Sequence, residues 1–246
     1  MHKRSQFIAP LITFIVITFV WWASVVIFDI PKYVLPSPND ILVAIIDNSK
    51  NVLKNLLVTS LESILGLILG SLFAIIVGVL MAQSRLFSNI SLPYLIASNA
   101  IPVIAIAPIL IIWFGNGIAS KVVVAAFLCF FPLCMNTYKG LNDYSKSYQD
   151  LFKIYGASKW DFLWRYKIFN ARVYIVTGFK LNASFCVIGA IVAEIISSNK
   201  GLGFGILQAT YTLNVPLLWG YILIACLLGL LFYTIVLFIE KLILKN

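Results

Sequence analysis

Six long apolar runs constrain this chain more than any other feature of its sequence. The hydrocarbon core of a bilayer is about 30 Å thick, and a helix needs about 20 apolar residues to cross it. Runs of that length, bounded by charged or turn residues, lie at 7–28, 58–82, 91–114, 121–138, 174–197 and 217–240. The chain has 61% hydrophobic and only 11% charged residues. A soluble domain typically has about 45–50% apolar and about 25% charged residues, so this composition excludes one. We predict an all-α membrane protein whose residues 1–246 form one domain of six transmembrane helices.

The basic residues are distributed unevenly around these runs. If the N-terminus is cytoplasmic, 12 Lys and Arg fall inside and 5 outside, while Lys180 lies within the fifth run. The inner set is Lys3, Arg4, Arg85, Lys139, Lys146, Lys153, Lys159, Arg165, Lys167, Arg172, Lys241 and Lys245, and the outer set is Lys32, Lys50, Lys54, Lys121 and Lys200. Cytoplasmic loops collect Lys and Arg, so both termini are predicted to be cytoplasmic. The net charge of +9 is therefore a topology signal, and no nucleic-acid partner is expected.

Side chains for metal binding or catalysis are scarce. The single histidine is His2, and the four cysteines, Cys129, Cys134, Cys186 and Cys226, lie in apolar runs, where cysteine behaves as a small hydrophobe. We expect no metal site, no disulfide and no catalytic residue. The Gly-x-x-x-x-Gly-Lys-Ser/Thr phosphate loop is missing from the sequence, so the chain has no ATPase site of that kind.

Several residues inside the runs indicate packing or a pathway. The Gly66-x-x-x-Gly70 pattern can let two helices approach closely, although glycine is common in membrane helices in general. Pro102 and Pro108 interrupt the third run, and such breaks are tolerated where protein or a water-filled path satisfies the freed backbone groups. We predict that these prolines line a pathway, against the alternative of a structural kink.

Two carboxylates occur in or near the runs. Glu62 lies near the outer end of its run, where it can stay hydrated, and Glu194 lies three residues before the end of the fifth run. An ionisable residue within a membrane is a functional hypothesis by default. For Glu194, substrate contact and a structural or outer-mouth role are left open. The glycines of Gly201-x-Gly203-x-Gly205 are expected to form a flexible turn, and Lys180 to reach the cytoplasmic interface.

The one long segment between runs, 139–172, has the pattern of two short amphipathic helices. The first spans 148–155 and the second 158–168, with Gly156 as the hinge and Ser158 as the cap of the second helix. Spacing alone leaves two interpretations open. The helices lie on lipid headgroups with Trp160 and Trp164 as anchors, or they dock another protein.

Short motifs in this segment and elsewhere resemble a known family. Gly156-Ala157-Ser158-Lys159-Trp160 resembles the core of the cytoplasmic coupling (EAA) loop of bacterial ATP-binding-cassette (ABC) importer permeases. Motifs along the rest of the chain resemble the nitrate, sulfonate and taurine branch of that family. They are Leu35-Pro36-Ser37-Pro38, Trp113-Phe114-Gly115-Asn116-Gly117, Ser120-Lys121, Phe131-Pro132, Val192-Ala193-Glu194 and Gly201-Leu202-Gly203. The chain departs from the family at Asp150-Leu151-Phe152, in place of Glu-Ala-Ala, and at Phe169 and Val173, in place of prolines.

The resemblance implies a type I, MetI-like permease fold in the bacterial inner membrane. It also implies a permease that passes a small solute and works with separate ABC ATPase subunits, which use ATP and Mg, with an extracytoplasmic solute-binding protein and with a second permease copy, by default in a homodimer. Solutes of the branch include nitrate, sulfonates, taurine and vitamin precursors. The residues implied in ATPase coupling are Asp150, Leu151, Phe152, Tyr155, Gly156, Ala157 and Ser158.

The main alternative is an ion-gradient-driven secondary transporter or a channel. Such proteins usually carry carboxylates at the membrane midplane, matched broken helices or a selectivity filter. The sequence has no clear inverted repeat and no carboxylate clearly placed at the midplane. The importer interpretation is therefore preferred.

Overall fold

A computed structural model describes residues 2–244, and it describes side chains at position 9 and from 11 to 243. Met1, Lys245 and Asn246 lie outside the described residues, as do the side chains of His2, Lys3 and Arg4, which enter the topology argument. Within 2–244 the secondary structure is entirely helical. The helices are α1 (His2–Ile27), α2 (Pro38–Asp47), α3 (Ser49–Gln83), α4 (Arg85–Asn99), α5 (Val103–Phe114), α6 (Ile118–Asn142), α7 (Lys146–Ile154), α8 (Lys159–Phe162), a π-helical turn (Leu163–Lys167), α9 (Ile168–Ile196), α10 (Leu202–Tyr211) and α11 (Val215–Leu244).

Four stretches of the described chain are long and apolar enough to cross a membrane. They are Ser49–Gln83, Ile118–Asn142, Lys159–Ile196 and Val215–Ile243. A fifth crossing is obtained if α4 and α5 count as one span. The first predicted span corresponds to α1, whose described apolar part, Leu11–Ile27, is a shorter helix. The structure thus confirms an all-helical protein with several apolar helices of membrane-spanning length.

The third predicted span, 91–114, is not one continuous helix. Its two halves, α4 and α5, are bent by 103° at a short break. Pro102 is the N-cap of α5, with extended backbone. Its ring disfavours the α conformation in the residue before it and its nitrogen cannot donate a hydrogen bond, so α4 does not continue through this position. Pro93 and Pro108, by contrast, lie inside the two helices.

The helix boundaries also differ from the sequence prediction. The fifth span begins earlier than position 174, because α8, the π-helical turn and α9 form a single helical stretch from Lys159 to Ile196. The short helices α2 and α10 were not predicted. Ser37 and Asp40 form a capping box that starts α2, with Pro38 as its first residue, a sequence pattern typical of a helix N-terminus.

The core of the fold is the packing of α3, α6 and α9 against one another, with α11 and α10 against α9. Glycines make this packing possible. A Cβ on Gly66 would lie 2.4 Å from the Ala125 Cβ, and one on Gly70 would lie 2.4 Å from the Ala126 carbonyl oxygen. The close helix approach predicted for Gly66-x-x-x-Gly70 is confirmed, with α6 as the partner helix.

Gly70→Ala is therefore expected to destabilise the protein by about 1–3 kcal/mol, since the added methyl meets backbone that cannot move without separating α3 from α6. Gly229→Ala is the matched control, because nothing lies within 4 Å of its added Cβ and alanine favours a helix by about 1 kcal/mol over glycine. Thermal unfolding of the two variants in the same detergent measures the difference. Equal unfolding temperatures would contradict this packing.

Candidate functional site: the coupling segment and the Glu194 cluster

The coupling segment, residues 143–167, joins α6 to α9 through a tight helical hairpin. The first residue of the segment, Asp143, is hydrogen-bonded to α9. Tyr174 donates to the Asp143 carboxylate, and the Asn170 amide donates to the Asp143 carbonyl oxygen. Ser145 then caps α7 through the amide of Ser147. The segment is thus held against the start of α9 and is not a free linker.

The turn between α7 and α8 has a well-defined cap at each side. Gly156 has φ +69°, a left-handed conformation that glycine adopts without strain. The Ala157 amide donates to the Phe152 carbonyl at 2.9 Å and the Gly156 amide donates to the Lys153 carbonyl at 3.0 Å, which is a Schellman motif. On the other side, Ser158 and Asp161 form a capping box. The predicted hinge at Gly156 and cap at Ser158 are confirmed.

Aromatic packing holds the two helices of the hairpin together. The Phe162 ring is buried, and its centroid lies 5.1 Å from Phe152, 5.2 Å from Tyr144 and 5.4 Å from Tyr166. Tyr148 stacks on Tyr166 at 4.8 Å. These contacts orient α7 on α8 and leave the opposite side of the hairpin free.

That free side carries most of the predicted coupling residues. Leu151, Phe152, Tyr155 and Ala157 line one groove of about 430 Å³, together with Asp161 and Arg165. Phe152 is half-buried, because its ring also packs against Phe162. Tyr155 is 81% exposed and Ile154, which the sequence argument missed, is 80% exposed. Asp150 does not line the groove; its side chain lies 3.4 Å from the Lys153 ammonium on the exposed side of α7. The structure thus brings Leu151, Phe152, Tyr155 and Ala157 together beside the turn formed by Gly156 and Ser158.

A second polar site lies far from this hairpin, where α9 ends and α10 begins. It comprises Asn55, Thr59, Glu62, Lys121 and Glu194, all buried, which we call the Glu194 cluster. Glu194 accepts a hydrogen bond from the Thr59 hydroxyl and another from the Gly203 amide, each at 2.7 Å. The carboxylate therefore anchors the first turn of α10 to α3.

The glycines before and within α10 fit around this carboxylate. Gly201 has φ +103°, and a Cβ on it would lie 2.2 Å from the Glu194 carboxylate. The Gly201 amide donates to Asn55 and the Leu202 amide donates to Thr59, at 3.1 and 2.7 Å. The prediction of a flexible turn at these glycines is wrong. Gly203 and Gly205 are buried in α10, and hydrogen bonds hold Gly201 in place.

The remaining charges of the cluster also differ from expectation. Glu62 is 4% exposed, so its predicted hydration is wrong, and its Oε2 has no hydrogen-bond partner among the described residues. Lys121, assigned to the outer loops, is 1% exposed and donates to the carbonyl and side-chain oxygens of Asn116. One lysine and two glutamates buried in one cluster are a structural feature that hydropathy alone does not reveal.

Other candidate residues lie apart from both sites. Pro102 and Pro108 are exposed at the α4–α5 bend and on α5. The Lys180 ammonium lies 2.6 Å from the Glu240 carboxylate, and this ion pair ties α9 to α11.

Comparison with known proteins decides between the remaining interpretations. Residues 50–245 match the family described as binding-protein-dependent transport system inner membrane component. The chain belongs to this family. It is 33% identical over 230 residues to a probable ABC transporter permease protein of Haemophilus influenzae, covering 94% of each chain.

Two further relatives extend the comparison. The chain is 34% identical over 245 residues to the formylaminopyrimidine transport permease protein of Halalkalibacterium halodurans, covering 99% of this chain and 98% of that one. It is 26% identical over 204 residues to the taurine transport system permease protein of Escherichia coli, covering 80% and 74%. The protein is therefore a multi-pass permease subunit of an ABC importer in the inner membrane, and the family prediction is confirmed. The comparisons do not support an ion-driven transporter or channel.

Proposed function

We propose that the coupling segment binds the ATPase and transmits the movement driven by ATP hydrolysis to the membrane-spanning helices of this permease. The observation that carries the proposal is the exposed groove lined by Leu151, Phe152, Tyr155 and Ala157 on a hairpin whose angle is fixed by Gly156. Leu151 and Tyr155 are exposed in this groove, and exposed apolar side chains beside a concave surface are typical of a protein contact. Because the hairpin continues through the π-helical turn into α9, a movement of the groove is transmitted directly to a membrane-spanning helix.

The partners follow from the family. Two ABC ATPase subunits bind ATP and Mg and contact the groove; an extracytoplasmic binding protein delivers the solute; and a second permease copy completes the pathway, by default in a homodimer. The chain itself contributes no catalytic residue. The full topology has six spans, with α1 first and the bent α4–α5 pair third, and with both termini and the coupling segment cytoplasmic. The positive-inside distribution supports this orientation.

The pathway lies along the α4–α5 bend. Asn99 is exposed at the end of α4, next to the exposed Pro102. An amide and free backbone groups are costly against lipid at membrane depth, but not against a water-filled path or a partner subunit. Pro102 and Pro108 therefore face the pathway. Glu194 is fully buried, so it stabilises the helices around the pathway without contacting the solute.

The solute is a small polar organic molecule. Similar permeases are named for formylaminopyrimidine at 34% identity and for taurine at 26% identity. The higher identity over nearly the full length favours a heterocyclic vitamin precursor over a sulfonate. Uptake of labelled formylaminopyrimidine by cells that carry the whole transporter, with taurine as the competitor, distinguishes the two classes.

The coupling proposal is tested by purifying the tagged permease from its native membrane and identifying the proteins that co-purify. Gly156→Trp is expected to reduce the recovered ATPase at least about tenfold, because a bulky residue is strained at φ +69° and protrudes beside the groove. Gly117→Trp is the control, since its added side chain also meets open space but lies in the α5–α6 loop. Wild-type protein that is folded yet recovers no ATPase would refute the proposal.

A further inference from the structure

A basic cavity lies between the ends of α3 and α6, the start of α4 and the coupling segment. Its volume is about 690 Å³, within the range of about 300–1,000 Å³ common for small-ligand sites. Three cations, Arg85, Lys159 and Lys167, line it, and no described Asp or Glu does. Uncharged donors, including Gln83 and Ser88, complete the lining. A cavity with this lining suits an anion.

Lys167 is the strongest sign that a ligand belongs there. Lys167 is only 7% exposed, and within the described residues it makes no ion pair. Its ammonium lies 4.6 Å from the centroid of the Tyr144 ring and 5.7 Å from that of Phe162. Cation–π contacts of this kind compensate only part of the cost of burying a charge.

Two further features point into the same cavity. The Gln83 side-chain nitrogen is buried without a hydrogen-bond partner among the described residues. Helix α4 begins at Arg85 with no acidic residue in its first turn, so the positive end of its dipole is not neutralised there. Backbone amides at such a helix start bind anions.

We infer that this cavity binds a phosphate ester, with Lys167 and Arg85 holding the phosphate and Gln83 donating a hydrogen bond. Charge-assisted hydrogen bonds from lysine and arginine favour phosphate, and the cavity is large enough for the group esterified to it. The ligand is either the headgroup of an anionic phospholipid or a soluble phosphorylated molecule. Its cytoplasmic position rests on the proposed topology. A bound phosphate would brace the coupling segment against α3 and α4.

Two assays on the purified full-length chain distinguish the sources. Calorimetric titration of glycerol 3-phosphate into protein in nanodiscs of phosphatidylcholine tests the soluble ligand. Native mass spectrometry of protein from nanodiscs that contain phosphatidylglycerol tests the lipid. In at least one assay, Arg85→Gln is expected to weaken binding or retention about tenfold, the effect of removing one charge-assisted hydrogen bond. Lys167→Met is expected to have a larger effect.

The control is Arg172→Gln, a half-buried arginine on α9 that stacks on Phe169 and does not line the cavity. Because Arg85 is exposed, its substitution leaves the fold intact even if Lys167→Met does not fold. The inference is overturned if the wild-type protein binds neither probe. A carboxylate of the ATPase would then be the anion expected to occupy the cavity. It is equally overturned if Arg172→Gln weakens binding as much as Arg85→Gln. Neither assay needs the ATPase, so failure here is separate from failure of the coupling proposal.

Discussion

Glu194→Leu is expected to destabilise the protein by about 3–5 kcal/mol, the usual cost of removing one partner from a buried charged group. The substitution leaves the Thr59 hydroxyl and the Gly203 amide without the acceptor that each now has at 2.7 Å. It also removes one of the two carboxylates buried in the same cluster as Lys121. The start of α10 should loosen from α3, because only the hydrogen bonds from the Gly201 and Leu202 amides to Asn55 and Thr59 would then hold it. Urea unfolding of purified protein in detergent measures the loss.

Glu62→Leu is the matched control, since the same substitution is made at a buried glutamate of the same cluster. The Glu62 Oε2 has no hydrogen-bond partner among the described residues, so fewer contacts are lost and the destabilisation should be clearly smaller. Hydrogen exchange locates the effect: Glu194→Leu should increase exchange at 201–205, whereas Glu62→Leu should not. Equal destabilisation by the two substitutions would show that charge balance, not the anchoring of α10, is the main role of the cluster.

The membrane-spanning helices and the hinge of the coupling segment were predictable from sequence because their causes are local. Long apolar runs need no distant partner to be recognised. Gly156 and Ser158 could be assigned because a left-handed glycine and an N-cap serine act within one turn of the chain. Asp161, three residues after Ser158, carried the same local signal of a capping box and could have been identified in advance.

The Glu194 cluster could not be predicted, because its contacts join residues far apart in the chain. Thr59 and Glu194 are separated by 135 positions, and Asn55 and Gly201 by 146. Hydropathy places Lys121 in an outer loop because the residue is charged, whereas the fold buries it in the same cluster as Glu62 and Glu194, with Asn116 as its hydrogen-bond partner. The interruption near Pro102 was predicted, but the 103° angle between α4 and α5 was not, because hydropathy is summed over a window and contains no information on the direction of the chain.

Phe162→Ala is expected to release the coupling segment while the membrane-spanning helices stay folded. Phe162 is 6% exposed and contacts three other aromatic rings, those of Tyr144, Phe152 and Tyr166. Truncating a buried phenylalanine costs about 3–5 kcal/mol, and here the loss falls on a hairpin with few other contacts. Hydrogen exchange should therefore increase across 146–162 and stay unchanged in α6. Transport should fall to background, because a loosened α7 cannot transmit force.

Trp164→Ala is the control for this change. Trp164 is also a large aromatic residue of the coupling segment, but it is 66% exposed and stacks on no described ring, so its removal should cost no more than about 0.5 kcal/mol. Transport and ATPase recovery, measured for both variants, distinguish a role of the aromatic packing in the stiffness of the hairpin from a role in binding the ATPase. If Phe162→Ala abolishes transport and the ATPase still co-purifies, the hairpin transmits force by being stiff. If the ATPase is lost too, the aromatic packing is needed to shape the groove itself. Unchanged exchange across 146–162 in Phe162→Ala would show that the ring cluster does not hold the hairpin.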